Sequence, residues 1–336
     1  MMKLMGLLSM VFLVAVTHGC AGGGPRMEEI ELSETQQRFR TKTIFKDGLV
    51  GVEVRRGDGS TRTLDSVRDI ERTWARYSPP PAMPGTASRE WLLVQNHHDG
   101  RLYAYATIGW DVDNPADYLA AGWWAHFPPG VSRRNVEEAE TGVFIDGPEI
   151  DPSNPPEMPV TGEATYAGSV GGVYRYNYGS GWGELEGRSQ YTEFGAVIGL
   201  RANFADGTVQ GCIGCTGDIE VQAGEYLYPI VTWWNRDPVA LPTDYELRLG
   251  PTPLDSHGTF ENTDVTVTHP DRTVTEATGV WAGHFSNVPD PDGNPRRVVG
   301  LSDVAFDEAD GSSGSFMGIF SALTPAILGL PEGGTP

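Results

Sequence analysis

Two of the three cysteines lie close together, in the stretch TVQGCIGCTGD at residues 208–218. Cys212 and Cys215 have the C-x-x-C spacing of redox pairs, of half zinc sites and of small disulfides. A zinc site needs four ligands, usually including a second close pair. A redox pair usually opens a helix, whereas the flanks here are strand-like and rich in glycine. We therefore predict a small disulfide at a hairpin end, with redox or metal chemistry as the alternatives.

The third cysteine, Cys20, follows an N-terminal apolar segment. The uncharged run at 4–16 is shorter than the ~20 residues that span a bilayer and is typical of a secretory signal. The sequence AGGGP follows Cys20, as at the lipidation site of a bacterial lipoprotein. We predict a signal peptide at 1–19 and a lipidated tether at 20–28, which would anchor the protein to the surface of the outer membrane. The alternative is a secreted protein. Both outcomes place the C-x-x-C pair in an oxidising compartment.

His97, His98 and Asp99 are adjacent at a predicted turn. Imidazoles beside a carboxylate are ligands for transition metals. Neighbouring residues of a strand point to opposite faces, however, so two adjacent histidines in a strand rarely bind one ion. We expect an exposed turn here, with a metal site as the alternative.

Two acidic stretches contain fragments of a calcium-binding pattern. DVDNPAD begins with Asp111 and contains Asp113, and DPDGN begins with Asp290 and contains Asp292. The second stretch lacks the distal bidentate glutamate of a complete calcium loop. We expect ordinary turns that aspartate side chains stabilise, and no resident metal, with these four aspartates as weak alternative ligands.

Two pairs of adjacent tryptophans are the candidate ligand contacts: Trp123 with Trp124, and Trp233 with Trp234. Adjacent aromatic residues in a strand direct one ring to each face. We expect these rings to pack one domain against another. The alternative is an exposed aromatic patch that captures a ligand.

Motifs of common enzymes are missing from the sequence. It contains no G-x-S-x-G, no H-E-x-x-H, no P-loop and no G-x-G-x-x-G, so we predict neither an enzyme nor a cofactor.

The formal net charge is −21 at pH 7. Such an acidic surface repels the phosphates of nucleic acids, which we exclude as partners, and favours cationic partners.

A proline-rich stretch, PEIDPSNPPEM at 148–158, divides the chain. We predict a β-rich handle-like domain at 29–150, a β-barrel domain at 158–326 and a tail at 327–336. Apolar residues at helical spacing, followed by Pro79, predict one helix near 66–77 in the first domain. After that helix, two strands around an Asp99-Gly100 turn and a further strand at 117–127 are predicted.

Short strands follow in the second domain. Apolar residues alternate at 196–204, which predicts a strand with one buried face, and Asp206-Gly207 then reverses the chain. Two further strands are predicted around Gly171-Gly172. Eight or so strands at this spacing predict a mainly β fold with a small antiparallel barrel, whose interior side chains fill.

Several stretches resemble surface lipoproteins related to transferrin-binding protein B, among them DYLAAGWWAHF, TGEATYAGSVGGVY and GSFMGIFSA. The resemblance covers most of residues 90–325 and implies one handle-plus-barrel lobe. It implies that one glycine- and aromatic-rich strand opens the barrel and that another closes it. In this sequence these strands contain Gly162, Ala164, Tyr166 and Gly168, and Gly314, Phe316, Gly318 and Phe320.

These observations favour a lipid-anchored surface protein that binds a ligand without converting it. The resemblance implies a protein or carrier ligand outside the cell, with iron or haem-carrier acquisition as one role. The alternatives are an interaction protein of the envelope without a small ligand and, more remotely, a lipocalin-like carrier of a hydrophobic molecule.

Overall fold

The computed structural model describes most of the chain from residue 42 to residue 328. The described ranges are 42–46, 49–56, 59–65, 86–111, 118–131, 139–147, 158–215, 228–230 and 241–328. The predicted signal, the tether with Cys20 and the predicted helix near 66–77 lie outside them. Within these ranges no helix is long and apolar enough to cross a membrane.

The described strands form three antiparallel sheets. The first sheet contains β1 (Lys42–Lys46), β2 (Leu49–Arg55) and β3 (Thr61–Asp65). The second sheet contains β4 (Thr86–His97), β5 (Gly100–Asp111), β6 (Tyr118–Phe127) and β7 (Glu140–Asp146). The third sheet contains β8 (Glu163–Asn177), β9 (Ser189–Asn203), β10 (Thr208–Ile213), β11 (Tyr228–Ile230), β12 (Glu246–Pro253), β13 (Thr259–Asn262), β14 (Val265–Thr268), β15 (Val274–Phe285), β16 (Arg297–Glu308) and β17 (Ser313–Leu323).

The third sheet is a nearly closed barrel, as predicted. Its strand order is β13-β15-β16-β17-β8-β9-β10-β12-β14, and β11 pairs with β9. The first and last long strands also pair, since the whole of β17 pairs with residues 167–177 of β8. The stretch 259–268 completes the wall, because its first half pairs with β15 and its second half pairs with β12. A 3-10 helix (Gly183–Leu185) and a short helix (Pro325–Leu328) accompany the barrel.

β8 is one strand of 15 residues, so the prediction of two strands around Gly171-Gly172 is wrong. Glycine residues of this stretch allow a neighbouring strand to approach closely, and they do not form a turn. A Cβ on Gly172 would lie 2.1 Å from the carbonyl oxygen of Met317 in β17, and a Cβ on Gly168 would lie 1.9 Å from that of Ser321. Glycine therefore lets β8 and β17 pair closely.

The barrel interior is filled by side chains. The alternation predicted at 196–204 is confirmed, since every second residue from Ala196 to Phe204 belongs to the buried core. Large rings occupy much of this core, and burying each one contributes roughly 1.5–3 kcal/mol. The nearly inaccessible aromatic residues of the barrel core are Tyr166, Tyr174, Tyr176, Phe194, Tyr245, Trp281, Phe285, Phe316 and Phe320.

The second sheet lies between the first sheet and the barrel wall. One of its faces, which includes Trp124 and Phe144, packs against Val52 and Val54 of the first sheet. The other face includes Trp123 and packs against the outer surface of β15, β16 and β17. The predicted hairpin turn between β4 and β5 and the Asp206-Gly207 turn are both present.

Candidate functional site

The end of the barrel at which β8 finishes, here called the upper end, is the candidate site. Three short connections meet there: 178–188 between β8 and β9, 269–273 between β14 and β15, and 309–312 between β16 and β17. The strand alternation that fills the core also brings a charged residue inward at this end. Val304, Phe306 and Glu308 are alternate, buried residues of β16.

Glu308 forms a buried ion pair with Arg272. The side chain of Glu308 is only 2% exposed and that of Arg272 is 18% exposed. Arg272 Nε donates to both carboxylate oxygens, at 2.7 and 2.8 Å, and Nη2 also donates to Glu308. The hydroxyls of Tyr176 and Tyr245 each donate to Glu308 at 2.7 Å. Nearly every acceptor position of the carboxylate is thus occupied.

The pair is ionised because its hydrogen bonds outweigh its burial. Desolvation raises the pKa of Glu308, but the bonds from Arg272, Tyr245 and Tyr176 lower it further, so the pKa lies below its usual value. The bond to Glu308 likewise raises the pKa of Arg272. A buried charge that has lost its partner is strongly unfavourable, so each charge here requires the other.

The same cluster holds the connections of the upper end together. The backbone of Gly179 and the indole Nε1 of Trp182 donate to Ser312 Oγ, at 2.9 and 3.1 Å. Arg272 Nη2 donates to Asp310 at 2.9 Å, and its guanidinium lies 5.0 Å from the centre of the Trp182 ring. The three connections therefore form one cross-linked rim, here called the rim network.

Exposed side chains around the rim network are mostly acidic. Glu184 and Glu186 are exposed in the first connection, and Asp271 is exposed in the second. Asp244, just before β12, is exposed as well. Arg188 is an exposed basic residue of this region. The described part of the upper end is thus suited to a partner that carries positive charge.

The Cys212–Cys215 disulfide lies at the same end. The structure joins the two residues, with their Cα atoms 5.7 Å apart, where β10 ends at Ile213. Cys212 is buried. The predicted disulfide is therefore present, and it closes a loop of two residues at the end of β10.

The structure describes two of the four tryptophan candidates. Trp123 is 5% exposed and Trp124 is 6% exposed. Trp123 packs on the face toward the barrel wall, and Trp124 packs on the face toward the first sheet, as expected for adjacent residues of one strand. Both rings are therefore part of the packing between layers. Trp233 and Trp234 lie outside the described residues.

Asp290 and Asp292 lie between β15 and β16, at the end of the barrel opposite the rim network. Asp290 is 7% exposed, and its Oδ1 accepts from the backbone amides of Asp292 and Asn294 at 2.9 and 2.8 Å. It thus stabilises a turn in the manner expected. Asp111 is the last residue of β5, and Asp113 lies outside the described residues.

Sequence reasoning missed the rim network, although one signal was present. Glu308 continues the inward alternation of Val304 and Phe306, and a carboxylate at such a position needs a buried partner. The sequence contains no comparable signal for Arg272. Its place depends on the pairing of Val274 with Glu308 at the start of β15.

Comparisons with known proteins give a distant likeness of fold to solved structures. No family model matches the chain, and no curated protein matches it. A solved structure of intact Ap-TbpB, with its N and C lobes, matches with a TM-score of 0.36 and 10% identity. The match covers 82% of this chain and 52% of that one, so this chain spans about half the length of that protein. This likeness is limited to a distant relationship of fold.

Proposed function

We propose that the chain is a lipid-anchored surface protein that binds an extracellular protein ligand at the upper end of the barrel. The observation that carries this proposal is the rim network. It holds three connections in one arrangement through Arg272 and Glu308, and a preorganised surface loses less entropy on binding than a mobile one. Anchoring at Cys20 would present this surface outside the cell.

The negative charge of the protein favours a partner with a cationic face. The chain has a net charge of −21 at pH 7, and the exposed rim residues Glu184, Glu186 and Asp271 extend that charge to the site. Complementary charge accelerates association and selects among partners more than it increases affinity. We therefore expect association with the ligand to slow as salt concentration rises.

A protein ligand is preferred to a small hydrophobic one. A lipocalin-like carrier needs an open interior, whereas aromatic rings such as Tyr174, Phe316 and Tyr245 pack against one another within this barrel. The finer proposal, acquisition of iron or of a haem carrier, rests on the sequence resemblance alone. An interaction protein of the envelope is the second candidate, and its partner would be another envelope component. In either case binding occurs without conversion of the ligand.

Affinity capture with a charge-reversed rim tests this proposal. The purified chain is immobilised, exposed to host or environmental fluids and to purified transferrin and haem carriers, and its bound proteins are identified by mass spectrometry. Glu184→Lys/Glu186→Lys should lose the ligand. The matched control, Asp206→Lys/Asp292→Lys, makes the same charge change at exposed positions of the opposite end and should retain it.

Equal capture by the two variants would contradict a rim site. A partner that is recovered only from envelope fractions would favour the second candidate. Binding that is unaffected by salt would contradict the electrostatic part of the proposal, because exposed charges are screened within about 8–10 Å at physiological ionic strength.

A further inference from the structure

The tip of the β4–β5 hairpin brings two imidazoles and a carboxylate together. His97 ends β4, and His98 and Asp99 form the turn that precedes Gly100. One ligand atom from each of the three residues lies within 4.8 Å of the other two. The two imidazole centroids are 4.2 Å apart. The exposed turn predicted at these residues is present, but the argument that the two histidines point to opposite faces does not apply, because His98 belongs to the turn and not to the strand.

Two arginines fix the orientation of Asp99. Its Oδ2 accepts from Arg56 Nη1 at 3.2 Å and from Arg62 Nη2. Its Oδ1 lies 3.0 Å from His97 Nδ1. The arginines thus hold one oxygen toward the first sheet and leave the other oxygen among the histidines. Such outer contacts preorganise a carboxylate ligand.

The charges around the turn are balanced. Arg56 Nε also donates to Glu140 Oε2 at 2.9 Å, so the guanidiniums of Arg56 and Arg62 face the carboxylates of Asp99 and Glu140. The formal charges of these four described groups sum to zero, so together they place no net positive charge beside a divalent cation at the turn.

A third imidazole lies beneath the turn. His126 of β6 is only 3% exposed, and neither of its ring nitrogens has a hydrogen-bond partner in the described part of the protein. A Cβ placed on Gly100 would be 2.9 Å from His126 Nε2, so this nitrogen faces the turn. Leaving a buried polar group without a partner costs about 1–3 kcal/mol. The hydrogen bonds of the fold therefore do not account for a histidine at this position.

We propose that the turn binds a divalent transition metal of the zinc class through His97, His98 and Asp99, with His126 as a further imidazole facing the site. Imidazole and carboxylate groups are established ligands for such ions. Two ligand atoms on one tetrahedral zinc, each bonded at ~2.1 Å, lie about 3.4 Å apart. The 3.0 Å between His97 Nδ1 and Asp99 Oδ1 is close to that separation. Since both histidines are exposed, their rings are free to close the remaining gap.

Zinc titration by calorimetry tests the site, in a buffer that does not bind zinc. All samples carry Cys20→Ser, which removes the cysteine outside the disulfide. We expect one zinc ion per chain with micromolar affinity. His98→Gln should weaken binding by about 100-fold, because even the loss of an outer-shell partner costs roughly 10–100-fold.

The matched control is His257→Gln. His257 Nδ1 lies 4.0 Å from Asp255 Oδ2, so this variant also removes one histidine beside a carboxylate. His257 lies in the loop between β12 and β13 of the barrel, and not in the second sheet. It should leave zinc affinity unchanged. Urea unfolding without zinc should give the same stability for both variants and their parent. The proposal is overturned if no zinc binds, or if the two variants reduce zinc binding equally.

Discussion

Replacing Arg272 by methionine should strongly destabilise the protein. Methionine retains much of the apolar length of the side chain but leaves the 2% exposed carboxylate of Glu308 with donors from Tyr176 and Tyr245 only. Removing one partner of a buried ion pair typically costs about 3–5 kcal/mol. At roughly 2–4 °C per kcal/mol for a domain of this size, the midpoint of thermal unfolding should fall by about 6–20 °C.

A double-mutant cycle separates the lost pair from lost packing. In Arg272→Met/Glu308→Gln the buried charge is removed, while the amide can still hydrogen-bond with the two tyrosines. The double variant should therefore be more stable than Arg272→Met alone, with a coupling energy of about 2 kcal/mol, within the range for residues in direct contact. The free energy of unfolding is measured in urea at neutral pH. The exposed pair of Arg248 and Glu246, 3.3 Å apart, is the control, since Arg248→Met should cost less than about 1 kcal/mol.

Acid should reduce the destabilisation that Arg272→Met causes, and the direction of this pH dependence follows from the pKa of Glu308. That pKa is lowered in the folded protein, so the pair stabilises the fold at pH values above the unfolded pKa of Glu308, and this stabilisation is lost as pH falls through the folded pKa. In Arg272→Met, burial raises the pKa of Glu308, and mild acid neutralises the unpaired carboxylate. The cost of Arg272→Met should thus be smaller in mild acid than at neutral pH. An Arg272→Met cost that matches the Arg248→Met cost, or additive effects in the cycle, would refute a buried, coupled pair.

Three further outcomes are expected. A palmitate analogue supplied during growth should label the wild type and not Cys20→Ala; equal labelling would exclude acylation at that residue. Cys215→Ser should cost no more than about 2 kcal/mol in urea unfolding, because the disulfide closes a very short loop, and a much larger loss would show that the bridge supports the barrel itself. Gly172→Ala should destabilise the protein more than Val173→Ala does, because its Cβ would lie 2.1 Å from the carbonyl oxygen of Met317; equal stabilities would contradict the close pairing of β8 with β17.

The barrel was predictable because its signals are local. The alternation at 196–204 and the Asp206-Gly207 turn lie within a few residues of one another, and each has one structural meaning. Gly171 and Gly172 failed as predictors because glycine serves two purposes. It permits a turn, and it also permits a neighbouring backbone to approach, which here is β17. Only the identity of the paired strand distinguishes the two, and the local sequence does not contain it.

The rim network was not predictable because its partners are brought together by register. Arg272 lies 36 positions before Glu308, and the two meet since β15 and β16 pair with Val274 opposite Glu308. A shift of one residue would turn Glu308 to the outer face. The turn at His97 and His98 shows a different limit: its exposure follows from the sequence, but the argument that adjacent strand residues point to opposite faces does not apply, because β4 ends at His97 and His98 belongs to the turn.

A buried ion pair at the end of an aromatic core is better explained by specificity than by stability. Apolar residues of similar volume would often stabilise the barrel as well as Arg272 and Glu308 do, because desolvation offsets much of the attraction between charges. Apolar residues would not, however, replace the hydrogen bond from Arg272 to Asp310 or the contact of its guanidinium with the Trp182 ring, which join the 269–273 connection to the 309–312 and 178–188 connections. The charged pair thus links the position of the rim to the register of the strands. If the rim is the binding surface, a stable apolar replacement of the pair should fold normally and still bind the ligand less well.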